Sequence, residues 1–95
     1  MSFKVHFLGA SQNDVGIREI SLSLEGLSNL KDLLKELSKK IGPKFNTYIF
    51  DPSTGKMNKN ITIIINGRHY TTLDGLETVL RNGDEISFFP PIGGG

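Results

Sequence analysis

The chain contains no cysteine. This excludes a disulfide framework, a thiol nucleophile and a thiolate metal site, so any sulfur chemistry involving the chain must use sulfur supplied by another molecule. The absence also fits a reducing compartment. There is no apolar run of membrane-spanning length, and Met1-Ser2-Phe3-Lys4-Val5 passes straight into a strand-like alternation. Neither a membrane span nor a signal peptide is expected, and the expected location is the cytoplasm. An excess of one charge is missing too. Eleven basic against ten acidic residues leave a net charge of +1 with no cluster of like sign. That balance argues against a nucleic-acid or membrane-surface footprint and leaves proteins as the expected partners.

The constellations that carry catalysis are also scarce. Two histidines occur, His6 in a strand pattern and His69 beside a turn, and neither has a partner ligand one helical turn away. No metal site is expected from them. Asn13-Asp14 and Asp74-Gly75 read as loop and cap residues, because nothing pairs them with a nucleophile or a histidine. Phosphate-cradling glycine patterns are absent. An enzyme is therefore the weakest of the functional readings.

What is present is enough for one small domain. The 95 residues are 37% hydrophobic and include six phenylalanines, which fits a single core. Phe3, Val5 and Phe7 alternate with Lys4, His6 and Leu8, a strand pattern. Residues 9–16 are polar and turn-forming, and Ile20, Leu22 and Leu24 then alternate with Ser21 and Ser23, so the two strands read as a hairpin around a long loop. Ser28 is the expected N-cap of an amphipathic helix whose Leu30, Leu33, Leu34, Leu37 and Ile41 recur at helical spacing. Lys31, Asp32, Lys35, Glu36, Lys39 and Lys40 face outward. A basic helical face can bind acidic partners, but a solvated surface is the simpler reading. The helix stops at Gly42-Pro43. Thr47-Tyr48-Ile49-Phe50 reads as a short strand, residues 51–60 as a loop, and residues 61–66 as a β-branched strand ending in the tight turn Asn66-Gly67. Residues 68–71 read as a brief returning strand, and Leu73, Leu76, Val79 and Leu80 as one helical turn. After a turn at Asn82-Gly83-Asp84, residues 85–89 form the last strand.

That strand runs into Phe89-Pro90-Pro91-Ile92-Gly93-Gly94-Gly95. Three consecutive glycines at a given place arise by chance roughly three times in ten thousand, so the end is either a tolerated floppy tail or the working part. Glycines can thread a narrow channel, and the prolines stiffen the exit and project it from the body. From Pro90 to Gly95 the chain reaches at most about 20 Å. The terminal carboxylate, with an ordinary pKa of about 3.3–3.7, is ionised at neutral pH and needs activation before it can donate its acyl group. With Ile86 and Phe88 facing the core, Phe89 falls on the opposite face, where Leu8 and Ile64 complete a candidate apolar contact patch for a partner.

The order of elements and the aromatic-Pro-Pro-aliphatic-small-Gly-Gly end, which falls on Phe89 to Gly95 without a gap, resemble the ubiquitin-like β-grasp sulfur carriers, including the molybdopterin synthase small subunit and the small archaeal modifier proteins. Gly93 stands where many members carry alanine. The resemblance implies an α+β fold with a mixed sheet of four to five strands packed on one main helix, residues 1–89 forming the domain and residues 90–95 a flexible extended tail. It further implies that Gly94 and Gly95 are adenylated by a ubiquitin-activating-type enzyme, which uses ATP that this chain does not itself bind. Pro90, Pro91, Ile92 and Gly93 would thread into that enzyme. The activated end would then carry sulfur as a thiocarboxylate to the large subunit of molybdopterin synthase, or be joined to lysines of target proteins. The alternative is a non-covalent β-grasp interaction domain with an idle glycine tail.

Overall fold

The computed structural model describes residues 1–26, 28–51, 53–58 and 60–90. Strand β1 (Ser2–Phe7) and strand β2 (Glu19–Ser23) pair antiparallel, with Phe3 opposite Leu22 and Val5 opposite Ile20. The last strand, β7 (Glu85–Phe89), lies parallel to β1, with Val5 beside Ile86 and Phe7 beside Phe88. On its other side β7 pairs antiparallel with β4 (Thr62–Ile65), which turns back into β5 (Arg68–His69). The order β2-β1-β7-β4-β5 is the expected mixed sheet, with the C-terminal strand at its centre. The turn at Asn66-Gly67 places both residues at positive φ, 50° and 84°, as a two-residue hairpin of this twist requires.

One face of this sheet is apolar because side chains alternate along every strand. Phe3, Val5, Phe7, Leu22, Ile63, Ile65, Ile86 and Phe88 point inward and are buried. The main helix, α2 (Leu30–Ile41), covers them with Leu30, Leu33, Leu34 and Leu37. Its N-terminus is closed by a reciprocal capping box. The Asn29 side chain accepts from the Asp32 amide at 2.9 Å, and the Asp32 carboxylate accepts from the Asn29 amide at 3.1 Å.

Five expectations are corrected here. The loop at residues 9–16 contains a short helix, α1 (Ser11–Val15), because Val15 is buried in the core and Ser11 finds a buried partner. The N-cap is Asn29, not Ser28, which instead forms the two-residue strand β3 (Ser28–Asn29). β3 pairs with β6 (Val79–Leu80), so Val79 and Leu80 are extended and only residues 75–77 make a 3-10 turn. Finally, Thr47, Tyr48 and Ile49 belong to a third helix, α3 (Pro43–Ile49), not to a strand. Pro43 supplies its first turn, where the missing N–H costs nothing, and burial of Phe45, Tyr48 and Ile49 at helical spacing outweighs the β preference of Thr-Tyr-Ile. Residues 68–71 are likewise only partly strand, since residues 70–72 form a 3-10 turn.

Candidate functional site

The outer face of the sheet carries the residues that the alternation excludes from the core. Thr62 lies opposite Phe89 and Ile64 opposite Ser87 across the β4–β7 ladder. On the other side, the Leu8 amide donates to the Phe88 carbonyl at 3.0 Å, which carries the parallel β1–β7 register one step past Phe7–Phe88 and sets Leu8 beside Phe89. Leu8, Phe89 and Thr62 thus form one row, with Ile64 diagonal to Phe89 on the same face, within reach of an aromatic ring. All four are half-buried. The three residues expected as a contact patch therefore do share one end of one face.

The chain leaves the sheet at that end. Pro90 is half-buried, and its ring lies over Gly9, where an added Cβ would meet Pro90 Cγ at 3.5 Å and Cδ at 3.6 Å. That spacing is ordinary contact; what holds glycine at this position is its φ of +58°, a left-handed geometry that costs other residues roughly 1–2 kcal/mol. Gly9 thus shapes the floor under the exit. Its only signal in the sequence is a glycine directly after the last residue of a strand pattern, and the sequence reading took it as an ordinary loop residue. Pro91, Ile92, Gly93, Gly94 and Gly95 lie outside the described residues.

Next to the apolar row the same face is ionic. Glu19 sits 3.7 Å from Lys4 and 3.8 Å from His6, and Glu85 sits 3.7 Å from His6. The acids and bases alternate across β2, β1 and β7, which sets Lys4 and His6 between Glu19 and Glu85. Beneath the sheet, Phe88 stacks on Phe7 with centroids 5.1 Å apart and meets Phe45 edge-on at 6.0 Å. The last strand is therefore clamped on its inner face up to the residue before Phe89. Tyr48 joins this cluster, and its hydroxyl bonds the buried Ser11 hydroxyl at 2.7 Å. Burial pushes the Tyr48 phenol above its ordinary value of 10.0, the Ser11 bond opposes that shift, and Asp14 adds to it.

Among the described residues no group of three or more His, Asp or Glu is arranged to hold a metal ion, and none of their helices is long and apolar enough to cross a membrane. The arrangement offers a rigid central strand, an apolar contact row and a proline exit; His69, opposite Ile64, has its Nδ1 2.8 Å from the exposed Thr71 hydroxyl. Such a site can present its chain end to another protein.

A sequence profile of the ThiS family matches residues 5–95. Over 95 residues the chain is 28% identical to small archaeal modifier protein 3 of Haloferax volcanii, covering 100% of both proteins. It is 32% identical to the solution structure of small archaeal modifier protein 1 from Methanosarcina acetivorans, with a TM-score of 0.82 over 99% of this chain and 96% of that one. A structure from Pyrococcus furiosus assigned as molybdopterin converting factor, subunit 1, shares the fold, with a TM-score of 0.73 at 23% identity over 97% of this chain and 99% of that one.

Proposed function

The chain belongs to the ThiS family of ubiquitin-like β-grasp sulfur carriers, and from that premise we propose that its working group is the C-terminal carboxylate of Gly95, activated by adenylation. One observation carries the reading: the family match runs to Gly95 itself, through a tail that follows directly from the central strand. The carboxylate attacks the α-phosphorus of ATP held by a ubiquitin-activating-type enzyme, pyrophosphate leaves, and an acyl-adenylate forms. A sulfur nucleophile then displaces AMP to give a thiocarboxylate, or a lysine amine displaces it to give an amide. Every catalytic group belongs to the partner. Gly94 and Gly95 enter its nucleotide pocket, Pro90, Pro91, Ile92 and Gly93 occupy the channel, and Phe89, Leu8 and Ile64 rest on its surface.

The two outcomes draw on different support. The protein-modifier branch draws on full-length likeness to proteins named small archaeal modifiers. Sulfur delivery to a molybdopterin precursor draws on likeness of fold to the converting-factor subunit. To test activation, the full chain is incubated with ATP, a cognate adenylating enzyme and a sulfide source, and its intact mass is measured. Replacement of one oxygen by sulfur at the C-terminus is expected, and a variant lacking Gly94 and Gly95 should keep its circular-dichroism spectrum and gain no sulfur. A truncated chain that is still thiolated, or a full chain left unmodified by every adenylating enzyme of its own host, would overturn the proposal.

A further inference from the structure

On the helix side of the molecule, away from the outer sheet face, a groove of about 470 Å³ runs beside α2. Its floor is apolar: Leu34, Phe50, Met57 and Leu76. Its rim is cationic: Lys31, Lys35 and Lys39 line it, and among the described residues no carboxylate does. These lysines recur every fourth residue, so they form one stripe about 12 Å long on the helix surface. All three are exposed, and the ion pairs among the described residues involve Lys4 and His6 but none of the three. Like charges at this spacing repel one another in the free protein.

Phe50 is 42% exposed, one of two large exposed hydrophobic residues among those described. It is held firmly for so exposed a ring. Its amide donates to Asn46 at 3.0 Å to close α3, it forms an isolated antiparallel bridge with Met57, and the Asn58 amide donates to Ile49 at 2.7 Å. The turn beyond is locked by Asp51, whose carboxylate accepts from the Ser53 amide at 2.9 Å and hydroxyl at 2.7 Å. Those bonds hold the Asp51 carboxyl below its ordinary value. With its backbone fixed in this way, Phe50 presents apolar area to a ligand at a lower ordering cost than a mobile loop would.

We propose that this groove docks an acidic segment of a partner protein, a large apolar side chain seated on Phe50, Met57 and Leu76 and its carboxylates facing Lys31, Lys35 and Lys39. Charge complementarity selects this occupant. An apolar floor alone would accept any hydrophobic segment, and a lysine stripe alone any anion, but the two together fit a segment that carries both features. The surface lies apart from the Leu8–Phe89 row, so both can be engaged at once, and the proposal does not rest on activation of Gly95.

The test is a titration of the isotope-labelled full chain with three synthetic peptides followed by amide and methyl NMR shifts. The first peptide carries phenylalanine anchors flanked by glutamates, the second has the anchors replaced by alanine, and the third has the glutamates replaced by glutamine. Saturable shifts at Lys31, Leu34, Lys35, Phe50, Met57 and Leu76 are expected with the first peptide, with affinity falling at least about tenfold for either control. Lys35→Glu and Phe50→Ala should each weaken the first peptide by a similar factor, whereas deletion of Gly94 and Gly95 should leave its affinity unchanged. Lys35→Glu sets a carboxylate between Lys31 and Lys39 but also three residues after Asp32, so opposing pair effects offset one another; an unchanged thermal midpoint is expected, which separates lost binding from lost folding. Equal binding of all three peptides, shifts centred on the outer sheet face, no shift at millimolar peptide, or loss of binding on tail deletion would each overturn the assignment.

Discussion

At the scale of single residues, Tyr48 shows how burial turns an ordinary side chain into a pH-sensitive one. Its phenol sits among Phe7, Phe45 and Phe88 and bonds the fully buried Ser11 hydroxyl. Desolvation raises its pKa above 10.0, so the folded state holds that proton more tightly than the unfolded state does. The resulting stability is fully present below the unfolded value near 10 and is lost as pH rises from there through the folded value. In Tyr48→Phe the Ser11 hydroxyl loses its partner, and a destabilisation of about 1–3 kcal/mol is expected at neutral pH. Urea titrations at pH 7 and above 10 should show the gap between wild type and variant narrowing as pH rises; a constant gap would sink the account. None of this was legible in the sequence, where Tyr48 read as part of a strand and Ser11 as part of a loop. The contact joins positions 37 residues apart, and only the fold brings them together.

At the scale of elements, strong periodicity and the Asn66-Gly67 turn signal identify their parts from sequence, whereas some short segments without either mislead. The α2 stripe of Leu30, Leu33, Leu34 and Leu37, the alternation of Phe3, Val5 and Phe7, and that of Ile86 and Phe88 each repeat often enough to identify their element and inner face. The segment Thr47-Tyr48-Ile49-Phe50 is too short to show a period, and its β-branched and aromatic content favoured the wrong state. Its helix forms because Phe45, Tyr48 and Ile49 fill one side of the core. The start of α2 differs from the expectation by one residue, since Ser28 and Asn29 are both good cap residues and it is Asn29 that stands three residues before Asp32, whose carboxylate completes the box. The capping box makes a direct prediction. Asn29→Ala removes the acceptor for the Asp32 amide and should cost about 1 kcal/mol, whereas Ser28→Ala removes no cap. Paired thermal melts would reveal an error in the assignment if Ser28→Ala proved the more damaging of the two.

At the scale of the whole molecule, the last strand is both the structural centre and the handle. β7 is flanked by β1 and β4 and clamped from beneath by Phe7 and Phe45, yet it ends one residue before the proline exit. Phe88→Ala should therefore cost roughly 3–5 kcal/mol, a large share of the stability of so small a domain. Removing Gly94 and Gly95, a few residues further on, should cost almost nothing. Denaturant midpoints measured side by side would contradict this division of labour if the truncation destabilised the fold comparably. By itself the sequence determined the α+β class, the main helix, the buried alternation and the glycine end, because each is a local repeat or a local composition. It also offered Leu8, Ile64 and Phe89 as outward residues, since side chains alternate along a strand whatever its neighbours are, but the β1–β7 and β4–β7 ladders bring the three together. Tertiary structure alone decided that the C-terminal strand is central, that Gly9 lies under Pro90, and that Phe50 joins the lysine stripe of α2 in one groove. Each of these depends on contacts between residues far apart in the chain, which no local periodicity encodes.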